Sequence, residues 1–305
     1  PPVIRTVTVA PPQYLLGLAQ KTRPSRAEQG STRGDSGTSL DTAWALPYPS
    51  PAVSAVHGPM NLQLTPERAM RIGVPDMVSN SYFPAIAAVD LGAFKAEGLD
   101  AEVELIFPVP KTLEALRDGD LDFVAGSAHA TLTAFPDWQG GKLLAALAKH
   151  MYWFLVLRAN LGAKRGDIDA VKGLRIGAAP GPDDGLVQLL KDAGIDPERD
   201  NVDIAPVPGV LTSGVSFGVH AARSLAEGII DGFWANGMGT EVALRSGAGT
   251  LVLDARRGDG PASARGFTFP AFITSDRKIA DAPDEVAAAV RGIVRVQRML
   301  KADPA

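Results

Sequence analysis

From residue 69 the chain alternates short apolar runs with stretches whose apolar residues return every three or four positions. Arg71-Ile72-Gly73-Val74 reads as a strand and Pro75 to Pro84 as a loop. Ala85 to Gly98 reads as a helix, Ala101 to Phe107 as a strand, Thr112 to Gly119 as a helix and Leu121 to Gly126 as a strand. Strands alternating with helices predict a parallel sheet with helices on its faces. Ligands of such sheets bind beyond the carboxyl ends of the strands. That rule singles out Ser79-Asn80-Ser81-Tyr82-Phe83 and Ser127-Ala128-His129.

The pattern then continues and restarts. Thr131 to Phe135 predicts a short helix, and Lys142 to Ala148 and Met151 to Leu157 predict strands. After a polar stretch ending at Gly173, strands are expected at 174–179, 202–207, 232–235 and 250–254, with helices at 184–193, 221–227 and 238–245. Phe267 to Thr274 predicts a late strand. Asp281-Ala282-Pro283-Asp284 opens a helix over 285–300, with Val286, Val290, Ile293, Val294 and Leu300 on one face. One phrase recurs: Leu116-x-x-Gly119-x-Leu121-Asp122 matches Leu225-x-x-Gly228-x-Ile230-Asp231. In each copy the glycine suits a left-handed helix end and the aspartate precedes a buried strand. The repeat implies two similar α/β lobes: residues 65–157 with 255–305 forming a discontinuous first lobe, and 158–254 the second.

Residues 1–64 break the pattern. Lys21 to Asp41 has no apolar periodicity, and the stretch after it is punctuated by Pro47, Pro49, Pro51 and Pro59. This composition predicts disorder or a leader, apart from a short helix at Tyr14 to Ala19. Met60-Asn61-Leu62-Gln63-Leu64-Thr65-Pro66 leads straight into the first strand, so Met60 is expected to be the true start and the residues before it a leader or a mis-assigned upstream stretch; no charged start, apolar core and cleavage site of a secretory signal is visible.

Composition narrows the function classes. The 305 residues are 46% hydrophobic with a formal net charge of -4 and no basic block, which argues against nucleic acid as a partner. No apolar run reaches the roughly 20 residues of a membrane helix. With zero cysteines, a disulfide, a thiolate zinc site, an iron–sulfur cluster and a cysteine nucleophile are excluded. No metal ligand or nucleophile stands at useful spacing from His129 or His150, so each is a ligand contact or a packing and capping residue. Gly237-Met238-Gly239 lacks the strand–turn–helix context of a dinucleotide fingerprint. No catalytic residue, cofactor or metal is assigned.

The order Arg71–Val74, Tyr82-Phe83-Pro84-Ala85-Ile86-Ala87-Ala88, Leu91 to Gly98 and Leu116-x-x-Gly119-x-Leu121-Asp122 resembles the solute-binding proteins of ABC importers. The nitrate, sulfonate and taurine branch, which also holds binders of thiamine-pyrimidine precursors, is the nearest in pattern. Gly92-x-Phe94-x-x-Glu97-Gly98-Leu99 is the most specific phrase, and the resemblance spans about residues 69 to 300. It implies an α/β fold of two Rossmann-like lobes with a hinge, of the type II periplasmic binding protein kind. It also implies a small ligand held between the lobes, permease and ATPase partners, a monomer, and a periplasmic or exterior location; the missing signal peptide keeps the cytoplasm open. Relatives carry additional C-terminal helices, so a truncated chain is expected.

Carried over by motif position, the ligand wall of the first lobe would be Asn80, Ser81, Tyr82, Phe83, Ser127, Ala128 and His129. The crossover would add Tyr152 and Trp153. The second lobe would add Pro180, Gly181, Asp183, Asp184, Trp234 and Asn236. Asp183 and Asp184 have a simpler reading as first-turn acids, and Trp153 and Trp234 as core aromatics. Pro180-Gly181-Pro182-Asp183-Asp184 departs from the small hydroxyl turn of anion-binding relatives, and two carboxylates there disfavour a free anion. An aromatic or heterocyclic solute, or a sulfonate-like one, is expected. The alternatives are a cytoplasmic enzyme on the same fold, of menaquinone-pathway or thiamine-pyrimidine type, and a ligand-sensing domain.

Overall fold

The computed structural model describes residues 68–210 and 216–303. The expected disorder and helix before Met60, and Met60 itself, lie outside the described residues. The rest builds two five-stranded sheets, each with helices packed against it.

The first sheet runs β2 (Ala101–Leu105), β1 (Met70–Val74), β3 (Phe123–Ser127), β10 (Pro270–Ser275), β4 (Gly141–Ala146). The second runs β7 (Asp203–Ala205), β6 (Arg175–Ala178), β8 (Gly232–Ala235), β5 (Phe154–Arg158), β9 (Gly249–Asp254). In each, the first three strands are parallel and the fourth is antiparallel to both its neighbours. β3, β8 and β10 are buried along their whole length, as central strands covered on both faces must be.

The fourth strand of each sheet arrives from the other lobe. The chain crosses at 147–153 into β5 and returns at 255–269 into β10. A division after residue 157, as the sequence pattern suggested, would therefore cut through β5. All of β5's ladder partners lie in the second sheet. The apolar run that began at Met151 misled here: Met151, Tyr152 and Trp153 are buried crossover residues, and pairing starts only at Phe154.

The repeated phrase has a structural basis that extends further than the phrase. α2 (Val109–Asp118) ends at Gly119, φ 87°, and the turn after α5 (Phe217–Ala226) passes through Gly228, φ 74°. Asp122 then accepts the amide N–H of Arg71 at 2.9 Å, and Asp231 accepts that of Arg175 at 3.1 Å. Arg71-Ile72-Gly73 and Arg175-Ile176-Gly177 are thus matching strand starts. A Cβ on Gly73 would collide with Leu121, and one on Gly177 would crowd Ile230, so each copy's phrase packs on its own glycine.

The long helix α9 (Pro283–Ala302) packs on the first lobe, against α1 (Phe83–Asp90). Gly292 lets it approach Phe94 so closely that a side chain there would clash. Arg291 and Arg295 clamp Glu97, at 2.7 Å each.

Candidate functional site

Strand ends and helix starts of the two lobes face each other across a cleft, which is divided in two. The inner chamber is lined from the first lobe by Pro75, Asp76, Ser79, Tyr82, Phe107 and Val109. Trp153 of the crossover and Ala179, Pro182, Phe217 and Asn236 of the second lobe complete it. The free space between these side chains is small, about 30 Å³. The outer chamber measures about 580 Å³. It lies between α3 (Thr131–Ala134), α4 (Asp183–Asp192) and α7 (Ala262–Gly266), with Met151 and Phe267 on its wall.

The partition between them is a bridge from lobe to lobe. His129 Nε2 donates to the carbonyl of Gly181 at 2.6 Å. Gly181 has φ 94°, and its Cα approaches Ala130 and Val109 of the opposite lobe so closely that a Cβ would lie 3.2 Å from each. The bridge needs hydrogen on Nε2, which leaves Nδ1 of the neutral ring buried without a partner. Burial holds the His129 pKa below its ordinary value, against the opposing pull of the Gly181 carbonyl, Asp184 and Asp183.

Other polar groups in and around the inner chamber are similarly incomplete. Trp153 Nε1 donates to Ser81 Oγ at 3.4 Å. The Tyr152 hydroxyl lies beside Ser81, Ser127 Oγ beside Tyr82, and Ser216 Oγ beside Asp76, yet none of these three reaches hydrogen-bond geometry. Trp234 Nε1 is also buried and unpartnered. Burial raises the pKa values of Tyr82 and Tyr152, so both stay protonated. Native interiors leave few such groups unsatisfied, and their concentration at one cleft marks a place for a guest's own hydrogen-bonding atoms.

Asp76, at the turn leaving β1, was not anticipated from the sequence. Its Oδ1 accepts the N–H groups of Val78 at 2.7 Å and Ser79 at 3.1 Å. Burial raises its pKa, and those two amides offset only part of the rise. Among the described residues no lysine or arginine lines either chamber; the acids there are Asp76 in the inner one and Asp184 and Asp192 in the outer.

The residues singled out in the sequence divide into groups. Tyr82, Trp153 and Asn236 line the inner chamber, and His129 and Asp184 the outer one. Ser81, Ser127, Ala128, Tyr152 and Gly181 are buried around them. Asn236 is held as the cap of α6 (Gly237–Arg245), accepting from Met238 N–H at 3.2 Å. Asp183 is bound into its own turn, accepting from Gly181 N–H at 2.8 Å and Asp184 N–H at 3.0 Å. Pro180 lines neither chamber, and Trp234 is fully buried, its ring 5.9 Å from that of Trp153. Asn80 and Phe83 are exposed and line neither chamber. α1 starts at Phe83 and turns that ring outward, where it is 49% exposed. Among the described residues no group of three or more His, Asp or Glu is placed to hold a metal ion.

No protein-family model matches the chain, and no curated protein matches it. Solved structures do. A protein of Bordetella bronchiseptica RB50 superposes with a TM-score of 0.64 at 23% identity, over 76% of this chain and 72% of that one. The periplasmic nitrate-binding protein NrtA of Synechocystis PCC 6803 gives 0.59 at 15% identity, over 75% and 61%. The alkanesulfonate-binding protein SsuA of Xanthomonas axonopodis pv. citri, bound to MOPS, gives 0.59 at 17% identity, over 77% and 75%. The fold is therefore the two-lobe α/β fold of the type II periplasmic binding proteins.

Proposed function

We propose that the protein is the solute-binding component of an ABC importer, taking a small organic molecule into the interlobe cleft and handing it unchanged to a permease. The observation that carries this reading is the cleft itself: an aromatic-walled chamber at the strand ends, surrounded by buried donors and acceptors that lack partners. The crossed-over fourth strands support it, because two connections between lobes that each have their own sheet suit hinged opening and closing. The nitrate- and sulfonate-binding proteins of the same fold add weight. Delivery at the outer face of a membrane and association with permease and ATPase subunits are corollaries of that role.

Among the described residues neither chamber is lined by a lysine or arginine, which sets this cleft against nitrate or a sulfonate as ligand. Tyr82, Phe107, Trp153 and Phe217 favour an aromatic or heterocyclic body instead. An enzyme reading has less support. Asp183 is occupied by its own turn, and His129 Nε2 by Gly181.

Thermal-shift and tryptophan-fluorescence screening against nitrate, sulfonates, pyrimidines, aromatic carboxylates and aromatic amines tests the reading. A ligand at 100 times its dissociation constant adds about 2.7 kcal/mol of stability. Stabilisation without turnover is expected. Consumption of the stabilising compound would establish an enzyme.

A further inference from the structure

Among the described residues the inner chamber holds one carboxylate and no cationic side chain. Asp76 Oδ1 accepts two amides of its own turn, and the Ser216 hydroxyl of the second lobe lies beside the carboxylate. Asp76 joins no ion pair among the described residues, although nearly every other charge that leaves the surface here is paired. Asp122 meets Arg68 and Lys278, Asp231 meets Arg158 and Arg175, and Asp254 meets Arg256 and Arg257. Around Asp76 stand the rings of Tyr82, Phe107, Trp153 and Phe217, whose faces carry partial negative charge. A chamber of this composition repels anions and attracts cations.

Resting on the reading of the cleft as a solute site, we infer that the ligand carries a positively charged nitrogen, a protonated amine or amidine on a small organic body, and that Asp76 is its counter-ion. The same pairing explains how the ligand drives closure. In the open arrangement water solvates Asp76. Closing the lobes strips part of that water and leaves the carboxylate with two amides and a hydroxyl but no described cation, which costs the closed form. A cation that enters with the closing lobes removes the penalty and gains the attraction of the rings. A neutral isostere removes neither the charge nor its cost, and an anion adds to it. Closure is thereby coupled to the sign of the ligand's charge, through a residue of the first lobe that meets Ser216 of the second.

Benzamidine, benzamide and benzoate form a nearly isosteric series of cation, neutral molecule and anion. Their binding to the full chain can be monitored by quenching of Trp153 and by thermal shift. The expected order is benzamidine, then benzamide, then benzoate, with benzamidine about tenfold or more tighter than benzamide. In Asp76→Asn the advantage of benzamidine should disappear, whereas Asp90→Asn, at the exposed end of α1, should keep it. The wild-type ranking needs no variant, so it stands even if Asp76→Asn folds poorly. Benzamide or benzoate binding as well as benzamidine would overturn the charge assignment and leave the solute-binding reading intact. Failure of benzamidine to bind in the millimolar range would also overturn it. The wider reading fails separately, if the broad metabolite screen returns nothing.

Discussion

His129→Phe should open the protein. The imidazole bridges the lobes through one hydrogen bond to Gly181 and packs on Phe267 and Phe269, with ring centroids 5.2 and 5.9 Å away. A phenyl ring keeps the packing and deletes the bond. A net hydrogen bond contributes about 0.5–1.5 kcal/mol, and leaving the buried Gly181 carbonyl unmatched adds to the loss. Against this, the substitution also removes the unpartnered Nδ1, whose burial costs the closed form. The balance is about 1 kcal/mol, so the ratio of closed to open molecules should fall about fivefold, and ligand should leave faster while entering at the same rate. The chain has no cysteine, so Lys95→Cys on the first lobe and Lys191→Cys on the second give one clean labelled pair. Both positions are exposed. Single-molecule energy transfer between the dyes then reports lobe separation in the free protein. A separation distribution unchanged by His129→Phe, in a variant with native circular dichroism, would refute the claim that this bond holds the lobes together.

Acid should act on closure through two groups with opposite signs. His129 has its pKa lowered in the closed form, so its contribution is complete above its ordinary value near 6.5 and is lost as pH falls through the lowered value. Asp76 has its pKa raised, so its contribution is present in acid and is lost as pH rises through the raised value. In Asp76→Asn the His129 trend remains, opposed by that of Asp183, whose pKa burial also raises, and the labelled pair should show progressive opening below about pH 6.5. Asp231→Ala should destabilise by about 2–4 kcal/mol, because it strands Arg158 while Arg175 can turn to solvent. At about 2–4 °C per kcal/mol the melting point should fall by about 4–16 °C. Asp122→Ala should behave alike, and a melting point unchanged in either would show that the matching aspartates are not structural. Trp234→Phe removes a buried, unpartnered N–H and should leave stability unchanged or slightly higher; a loss above about 2 kcal/mol in denaturant titration would reveal a hidden partner for that donor.

Much of the fold was legible because short buried strands and amphipathic helices leave different periods in the sequence. The two lobes could be read from one short phrase because that phrase does the same physical work twice: a helix stop, a side chain against a glycine, and an aspartate receiving a strand's first amide. The start of β5 was not legible, since Met151-Tyr152-Trp153 are as apolar as a strand. They are buried between lobes, and burial alone leaves no period. The site was read in part. Position beyond a strand end singled out Tyr82, His129, Asp184 and Asn236, which line the two chambers, and also Asn80 and Phe83, which line neither, because the direction of the first helical residue is set by the helix start and not by the strand. Asp76 was missed for a related reason. An aspartate after a proline at a strand end reads as a turn residue, and it is one; only the opposite lobe turns it into a half-buried charge.

The arrangement of the buried acids separates stability from function. Asp122 and Asp231 sit at equivalent points of the two lobes, each held by cations and each receiving an amide within its own sheet. Charges satisfied inside one lobe do not change when the lobes move, so each lobe keeps its own stability throughout the cycle. Asp76, His129 and the orphaned hydroxyls have the opposite property: their surroundings depend on how far the lobes are apart. Only groups of that second kind can make a ligand's arrival shift an equilibrium between open and closed forms, since a ligand moves that equilibrium by no more than the difference in its interactions with the two. On this argument the residues that tell one solute from another are those that the lobes leave unsatisfied, and substitutions among the paired acids should change melting temperature without changing which compound is preferred.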